Sequence, residues 1–382
     1  MNLSRRKTLG LIGGGVILAA GATLGSVATR QPKTALLPWQ VAGLPDEPRR
    51  RALSYALLAP NPHNRQPWMV DLREDGVVTL HVDTARLLPH TDPFNRQITI
   101  GLGCFLELMR MAAAQDGYRV DITAFPEGES TDGLDGRPVA RALFVQDATV
   151  SPDPLFAHVM ARRSNKEPFD TIRPIGAEVL APLAAAVRAG SVFGGSVAMA
   201  DVAEMRAITR QALQIEIDTP NTYRESVDLF RIGRSEIDAN PDGIDFSGLL
   251  FETLGAFGLF TRESALDTSS STFKAGLDAV MANVDTAMGH VWLVTAGNTR
   301  ADQLAVGADW LRVNLAATAA GLGFQPLSQG LQEYPEMAAI HADLHARLAP
   351  QGGTVQMLSR IGFGITVPPS PRWPLESKIL HA

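Results

Sequence analysis

The sequence predicts an α+β fold, and three observations support that class. Apolar stretches on either side of Asp75-Gly76 predict a β-hairpin from Trp68 to Val82, because this dipeptide is typical of hairpin turns. Two long apolar stretches, Ile98 to Gln115 and Ala301 to Ala320, predict buried helices that end near glycines. Other short apolar stretches predict strands at 120–125, 140–145, 291–295 and 358–365.

Proline and glycine positions bound the other elements. A helix is predicted from Arg49 to Leu58, and it must end before Pro60 because the residue preceding a proline disfavours helical backbone angles. Residues 233–271 are polar, acidic and glycine-rich, which is compatible with a flexible excursion or a lid. Further helices are predicted at 155–162, 175–189 and 201–217.

Length and composition favour two globular domains. The chain has 382 residues, of which 45% are hydrophobic and 19% charged, so it can bury a core without special cross-links. Pro152-Asp153-Pro154 marks a boundary. The predicted organisation is a Pro-rich linker at 31–48, a first domain at 49–150 and a second domain at 151–382.

Charge and cysteine content exclude some classes. The formal net charge is −6 and no basic face is concentrated enough to predict nucleic-acid binding. The single cysteine, Cys104, rules out a disulfide within the chain. His341 and His345 have the i, i+4 spacing of metal ligands but lack the glutamate of a zinc-protease motif, so no metal site is predicted.

Residues 1–30 are predicted to be a targeting segment. Arg5-Arg6 precede an uncharged stretch, rich in glycine and alanine, from Thr8 to Thr29, and this pattern resembles a Tat export signal. The export machinery is therefore an expected partner, and the periplasm the expected location. The alternative is a membrane anchor facing the periplasm, because 22 uncharged residues could span a bilayer, although six glycines weaken it.

The segment Arg162–Lys166, with the sequence R-R-S-N-K, is a candidate phosphate site. A phosphate group carries nearly two negative charges and needs fixed cations together with hydroxyl or amide donors. Arg162, Ser164 and Lys166 supply both kinds of group within five residues. The alternative is ordinary surface charge at the end of a helix.

The segment Ala59–Trp68 is a candidate site for a flat heterocyclic ring. Asn61, Asn64 and Gln66 lie in a proline-braced loop, where short amides can donate and accept hydrogen bonds at low entropic cost. The alternative is a tight turn between a helix and a strand.

Taken together, the two segments resemble the flavin site of the nitroreductase superfamily. The ring-side loop matches A-P-x-x-x-N-x-Q-P-W, and R-R-S-x-K is similar to the segment that holds the FMN phosphate and ribityl chain. Their order in one chain resembles the Acg-type branch. That resemblance implies two fused nitroreductase-like domains that form an intramolecular pseudo-dimer, a monomeric protein and FMN bound between the halves.

The resemblance also assigns site residues. It implies that Arg162, Ser164 and Lys166 hold phosphate and ribityl oxygens and that Arg372 is a second phosphate cation. It places Pro326, Leu327 and Ser328 near flavin N5. Neither motif occurs a second time, which implies one flavin site per chain. The residues implied to approach the ring are Asn61, Pro62, His63, Asn64 and Gln66.

The resemblance implies an FMN-dependent oxidoreductase acting on quinone-like or nitroaromatic acceptors. Such chemistry resides in the flavin, so no catalytic side chain is assigned. The first alternative is a protein that sequesters or stores FMN without reductase activity, since an exported protein meets little NAD(P)H. A weaker alternative is a fold that serves only partner binding.

Overall fold

A computed structural model describes residues 31–130 and 132–382; the predicted export signal lies outside the described residues. The α+β class is confirmed. The helices are α1 Leu37–Val41, α2 Pro48–Ala56, α3 Arg96–Gln115, α4 Leu180–Ala185, α5 Met199–Asp218, α6 Pro220–Asp228, α7 Gly233–Ala239, α8 Leu249–Ala256, α9 Arg262–Leu266, α10 Ser271–Asp285, α11 Arg300–Ala319 and α12 Ala338–Leu348. The strands are β1 Trp68–Asp71, β2 Val77–Val82, β3 Tyr118–Ala124, β4 Ala140–Gln146, β5 Val192–Ser196, β6 Phe230–Ile232, β7 Ile244–Phe246, β8 Gly289–Thr295, β9 Gly323–Pro326, β10 Thr354–Gly362 and β11 Ile379–His381.

The two larger sheets repeat one topology. The first has the order β11-β1-β2-β4-β3 and the second the order β5-β8-β10-β9. In each, four antiparallel strands follow the order first, second, fourth, third, and a long helix connects the second strand to the third. The C-terminal strand β11 pairs with β1 in parallel, so the end of the chain completes the first sheet.

Helices α3 and α11 cross at two glycines. A Cβ added to Gly103 would lie 2.1 Å from the Leu304 carbonyl oxygen, and one added to Gly307 would lie 2.1 Å from the Ile100 carbonyl oxygen. The contact is reciprocal: each glycine faces the backbone of the other helix at the residue three positions before that helix's own glycine. Cys104 is buried at this crossing, and its Sγ donates to the Gly307 carbonyl at 3.1 Å.

Most predicted elements are confirmed, with shifts at their ends. The hairpin turns at Gly76, whose φ of 69° suits glycine. Helix α3 is long and apolar enough to cross a membrane, but it is almost entirely buried, as a core helix is. The predicted helix at 175–189 is wrong in extent, because α4 spans only Leu180–Ala185. The predicted helix at 155–162 is a short 3-10 helix, Pro154–His158.

The segment predicted as a linker belongs to the packed structure. Residues Thr34–Leu36 form a 3-10 helix that continues into α1. The Trp39 indole is buried, and its Nε1 donates to the Ser370 carbonyl at 2.8 Å. The Arg372 backbone N–H donates to the Ala35 carbonyl at 2.8 Å. Composition alone misses this role, because the proline content predicts a linker whereas the burial of Trp39 packs the segment onto the fold.

Candidate functional site

The ring-side motif forms a strained loop between α2 and β1. His63, Asn64 and Gln66 have left-handed backbone angles, with φ values of 46°, 50° and 49°. Such angles are costly for residues with a Cβ and persist only where surrounding contacts enforce them. The loop also approaches α3 closely, since a Cβ added to Gly101 would lie 3.1 Å from the Asn61 Cβ.

Side-chain amides hold this loop in shape. The Asn61 Oδ1 accepts a hydrogen bond from the Gln66 backbone N–H at 2.7 Å. The Gln66 side chain is fully buried. Its Nε2 donates to the Pro241 carbonyl at 2.6 Å, and its Oε1 accepts from the Trp373 backbone N–H at 2.9 Å. Gln66 therefore joins the loop to two distant parts of the chain.

The Arg372 side chain holds the start of the loop from the C-terminal tail. It is 2% exposed, and its Nε donates to the Leu57 carbonyl at 2.7 Å. Its Nη2 donates to the carbonyls of Leu58 at 3.2 Å and Ala59 at 3.1 Å. Its Nη1 donates to the Asn64 Oδ1 at 2.7 Å and to a neighbouring carbonyl at 2.8 Å. All five N–H groups are engaged, so Arg372 contributes positive charge rather than a free donor.

The phosphate-side segment reaches the same loop. The Arg162 Nη2 donates to the Leu58 carbonyl at 2.9 Å, and Arg372 uses that same carbonyl. Among the described residues, the Arg162 guanidinium forms one other bond, a long one of 3.5 Å from Nη1 to the Asn314 Oδ1. Arg162 therefore keeps N–H groups for a ligand. In the described part of the chain, the side chains of Ser164 and Lys166 form no hydrogen bond or ion pair, and Lys166 is exposed.

Asn165 fixes this segment to the second sheet. It is buried, and its backbone N–H donates to the Phe324 carbonyl in β9 at 2.8 Å. Its Nδ2 donates to the Ile365 carbonyl at 2.8 Å. Ser164 and Lys166, on either side of it, are thereby held in place.

Positive charge accumulates where the segments meet. Within residues 31–130 and 132–382, no ion pair forms at Arg162, Arg163, Lys166 or Arg372. Burial, with the neighbouring arginines, lowers the pKa of Arg162 to about 10 and that of Arg372 to about 9, so both stay charged at neutral pH. Burial raises the pKa of Asp245, which interacts electrostatically with Lys166 and Arg372. Buried charges are usually paired, so this cluster favours an anion.

The loop after β9 lies at the same end of α3 as the ring-side loop. The Gln97 Nε2 donates to the Ser328 carbonyl at 3.3 Å. Gln97 and Gly101 are four residues apart and share one face of the helix. Pro326 ends β9, and Leu327 is buried with its N–H donating to β10 at 2.9 Å. The four segments predicted to form the site therefore lie together.

The excursion at 233–271 forms helices α7, α8 and α9 and strand β7, and it lies against the ring-side loop. The Asp242 carboxylate accepts hydrogen bonds from Arg86 at 2.5 Å, from Arg231 at 2.8 Å and, at 3.5 Å, from Arg65 in the loop. The Gly243 N–H donates to the Asn64 carbonyl at 3.3 Å. This excursion therefore covers one side of the loop.

His63 presents a neutral imidazole beside these cations. Its Nδ1 is buried and has no hydrogen-bond partner among the described residues. Burial, followed by the charges of Lys166 and Arg65, lowers the pKa of His63 from 6.5 to about 4. An unpartnered buried nitrogen is costly, so it indicates a ligand atom or water at this point.

We expect His63 to make the protein acid-sensitive between about pH 6.5 and pH 4. In that window the unfolded chain binds a proton that the folded protein does not, so stability falls as the pH is lowered. His63→Asn keeps a residue that tolerates left-handed angles but cannot be protonated. Urea unfolding across this pH range should give a shallower decline for the variant, by at most about 1.4 kcal/mol per pH unit. Equal slopes in the two proteins would contradict the assignment.

Sequence reasoning missed three residues of the site. Asn165 sits inside the R-R-S-N-K motif, and an amide between two ligand candidates was a usable signal. Gln97 lies in D-P-F-N-R-Q-I-T-I-G-L-G-C, a stretch that resembles the Acg-type branch but does not itself mark Gln97 as a site residue. Asp245 gave no signal, because only the fold brings the excursion to this place.

Relatives of this chain carry nitroreductase names. Over 347 residues it is 28% identical to a Mycobacterium tuberculosis protein named putative NAD(P)H nitroreductase Acg, covering 87% of this chain and 95% of that protein. A second protein of that organism, also named a putative NAD(P)H nitroreductase, is 26% identical over 335 residues, covering 85% and 88%. A third, uncharacterised, is 26% identical over 349 residues, covering 86% and 91%. No protein-family model matches the chain.

Proposed function

This chain is a member of the nitroreductase superfamily by its similarity to these relatives, and from that premise we propose that it is an FMN-dependent oxidoreductase. Its expected acceptors are quinone-like or nitroaromatic compounds. The observation that carries the proposal is the cluster of Arg162, Lys166 and Arg372, which has no ion-pair partner in the described residues and lies beside the strained ring-side loop.

The residues at this site fit FMN. Arg162, Ser164 and Lys166 have donors to offer a phosphate, and Arg372 adds charge behind them while its own N–H groups hold the loop. The unpartnered Nδ1 of His63 suits a polar atom of the ring. When bound, FMN supplies the electron-transfer chemistry, and the protein supplies binding, orientation and charge.

Lys166→Ala is expected to weaken FMN binding by about 1.5–3 kcal/mol, the value of a charge-assisted hydrogen bond. Titration of the apoprotein, followed by quenching of flavin fluorescence, measures the change. The matched control is Lys274→Ala, which removes another exposed lysine, on α10, and should leave the affinity unchanged. An equal loss in both variants would contradict a phosphate site at Lys166.

A second candidate function is FMN sequestration without turnover. The contacts of Asp242 and Gly243 with the ring-side loop favour it, because a covered flavin meets fewer partners. Anaerobic mixing of the FMN-loaded protein with NADH or NADPH separates the two functions. Bleaching of the flavin followed by reoxidation with a quinone supports the oxidoreductase, whereas an oxidised spectrum with every donor supports storage.

We further infer that the two sheets belong to two nitroreductase-like halves of one monomeric pseudo-dimer. The repeated strand order and the reciprocal glycine crossing of α3 and α11 support this. Sedimentation should give the mass of one chain. Flavin absorbance relative to protein concentration should give one FMN per chain. A stoichiometry of two would contradict the single-site assignment.

We also propose export by the Tat system, with the folded domains on the periplasmic side. The support is the twin arginine and the uncharged stretch that follows it. Arg5→Lys together with Arg6→Lys should abolish export in cell fractionation.

A further inference from the structure

Residues 248–260, here called the apolar tip, are an apolar stretch within the excursion at 233–271, so the description of that excursion as polar does not hold for its centre. The sequence is G-L-L-F-E-T-L-G-A-F-G-L-F, with four leucines, three phenylalanines and one charged residue. It comprises α8 and the turn that follows, and α8 has no buried residue. Phe257 is 76% exposed and Leu259 is 58% exposed. The surfaces of soluble proteins rarely expose so many large apolar residues in one short segment unless that segment binds a partner or a membrane.

The apolar tip is held in shape by aromatic packing and a backbone hydrogen bond. Phe251 and Phe260 lie 5.4 Å apart and both pack on Phe246, at ring-centroid distances of 5.0 Å and 4.9 Å. The Leu259 backbone N–H donates to the Leu254 carbonyl at 2.8 Å and closes the turn after α8. These contacts hold the base of the tip and leave Phe257 and Leu259 projecting.

The only charge in the apolar tip is turned toward the protein. The Glu252 carboxylate accepts a hydrogen bond from the Arg234 backbone N–H on α7, and the side chain is half-buried. The Thr253 hydroxyl donates to the Leu249 carbonyl at 2.7 Å. The projecting face is therefore apolar, and a polar partner would gain little from it.

The start of the described chain contacts α7, the helix that packs against the apolar tip. The Lys33 N–H donates to the Asp238 Oδ1 at 2.9 Å, and the Ala35 N–H donates to the same oxygen at 3.0 Å. Asp238 belongs to α7, which packs against α8. The uncharged segment at 8–29 is therefore joined to the fold within a few residues of this place.

We propose that the apolar tip is a membrane-docking surface that inserts Phe257 and Leu259 into a lipid bilayer. Apolar projections on an ordered helical base bind at the boundary between headgroups and acyl chains, in proportion to the apolar area they bury. This inference does not depend on FMN, and neither Phe257 nor Leu259 is among the residues assigned to the flavin site.

The test places an environment-sensitive fluorophore on the tip of the full-length chain. Phe257→Cys is labelled with nitrobenzoxadiazole, and Ile172→Cys, at a residue 91% exposed, is the matched control. Cys104 is buried in the folded protein, and burial raises its pKa to about 12, so it does not compete for the label. Both proteins are mixed with phosphatidylcholine vesicles, with or without a quencher attached to the acyl chains.

The expected result is a blue shift at position 257 on adding vesicles and several-fold stronger quenching there than at position 172. An unshifted fluorophore at 257 on protein that floats with the vesicles overturns the proposal. A blue shift before vesicles are added also overturns it. If that shift depends on protein concentration it assigns the surface to a second copy, and otherwise to residues 8–29.

Discussion

Gly307→Ala is expected to destabilise the protein by about 3 kcal/mol or more, among the largest effects of any single methyl group in this fold. The added Cβ would lie 2.1 Å from the Ile100 carbonyl oxygen and 2.8 Å from the Gly103 Cα, both backbone atoms of α3. Neither atom can rotate away, so α3 and α11 must separate along a buried interface. Urea unfolding should show a large drop in midpoint, and Gly103→Ala should reproduce it, because its Cβ meets Leu304 in the same way.

The control for this pair is Gly276→Ala. Gly276 lies within α10, and no atom is found within 4 Å of its added Cβ, so the substitution changes helix propensity alone. It should stabilise the protein by about 0.5–1 kcal/mol. If Gly307→Ala and Gly276→Ala shifted the midpoint in the same direction, the close helix crossing would not exist in solution.

Individual helices, strands and turns were predicted well, because their sequence signals come from neighbouring residues. The Asp75-Gly76 turn, the apolar length of α3 and the glycine that closes α11 each report on neighbouring residues. The strand order of the two sheets and the crossing at Gly103 and Gly307 could not be predicted from such local signals, since they depend on pairings between distant segments. The role of Trp39 was missed for the same reason, because its partner Ser370 lies at the other end of the chain.

The candidate site was predictable in its location but less so in its roles. The resemblance placed Asn64, Arg162 and Arg372 in one site. In the structure, Arg372 donates to Asn64, and Arg162 and Arg372 both donate to the Leu58 carbonyl. It assigned Arg372 to phosphate, whereas in the structure four of its N–H groups donate to the loop and the fifth donates to the Pro371 carbonyl. A motif specifies a residue type. Only the number of hydrogen bonds that the side chain already donates shows whether an N–H group is left for a ligand.

Arg372→Met is therefore expected to lower both stability and FMN affinity. The change leaves the carbonyls of Leu57 and Ala59 without the bonds that Arg372 donates, and it removes the bond to the Asn64 Oδ1. Unsatisfied buried acceptors cost about 1–3 kcal/mol each, so a loss of about 3 kcal/mol or more in unfolding free energy is expected. The strained angles at His63 and Asn64 would lose one of the contacts that hold the loop, and the ring-side loop would relax away from its binding geometry.

Arg372→Lys distinguishes the two contributions of this side chain. Lysine keeps the charge behind Arg162 and Lys166, but a single ammonium cannot hold three successive carbonyls as the planar guanidinium does. Urea unfolding is measured on both variants. FMN is titrated under conditions where each variant is folded. If positioning dominates, lysine recovers little of the stability or the affinity; if charge dominates, lysine restores FMN binding while stability stays low. Full recovery of both by lysine would show that the bonds to Leu57 and Ala59 do not support the loop.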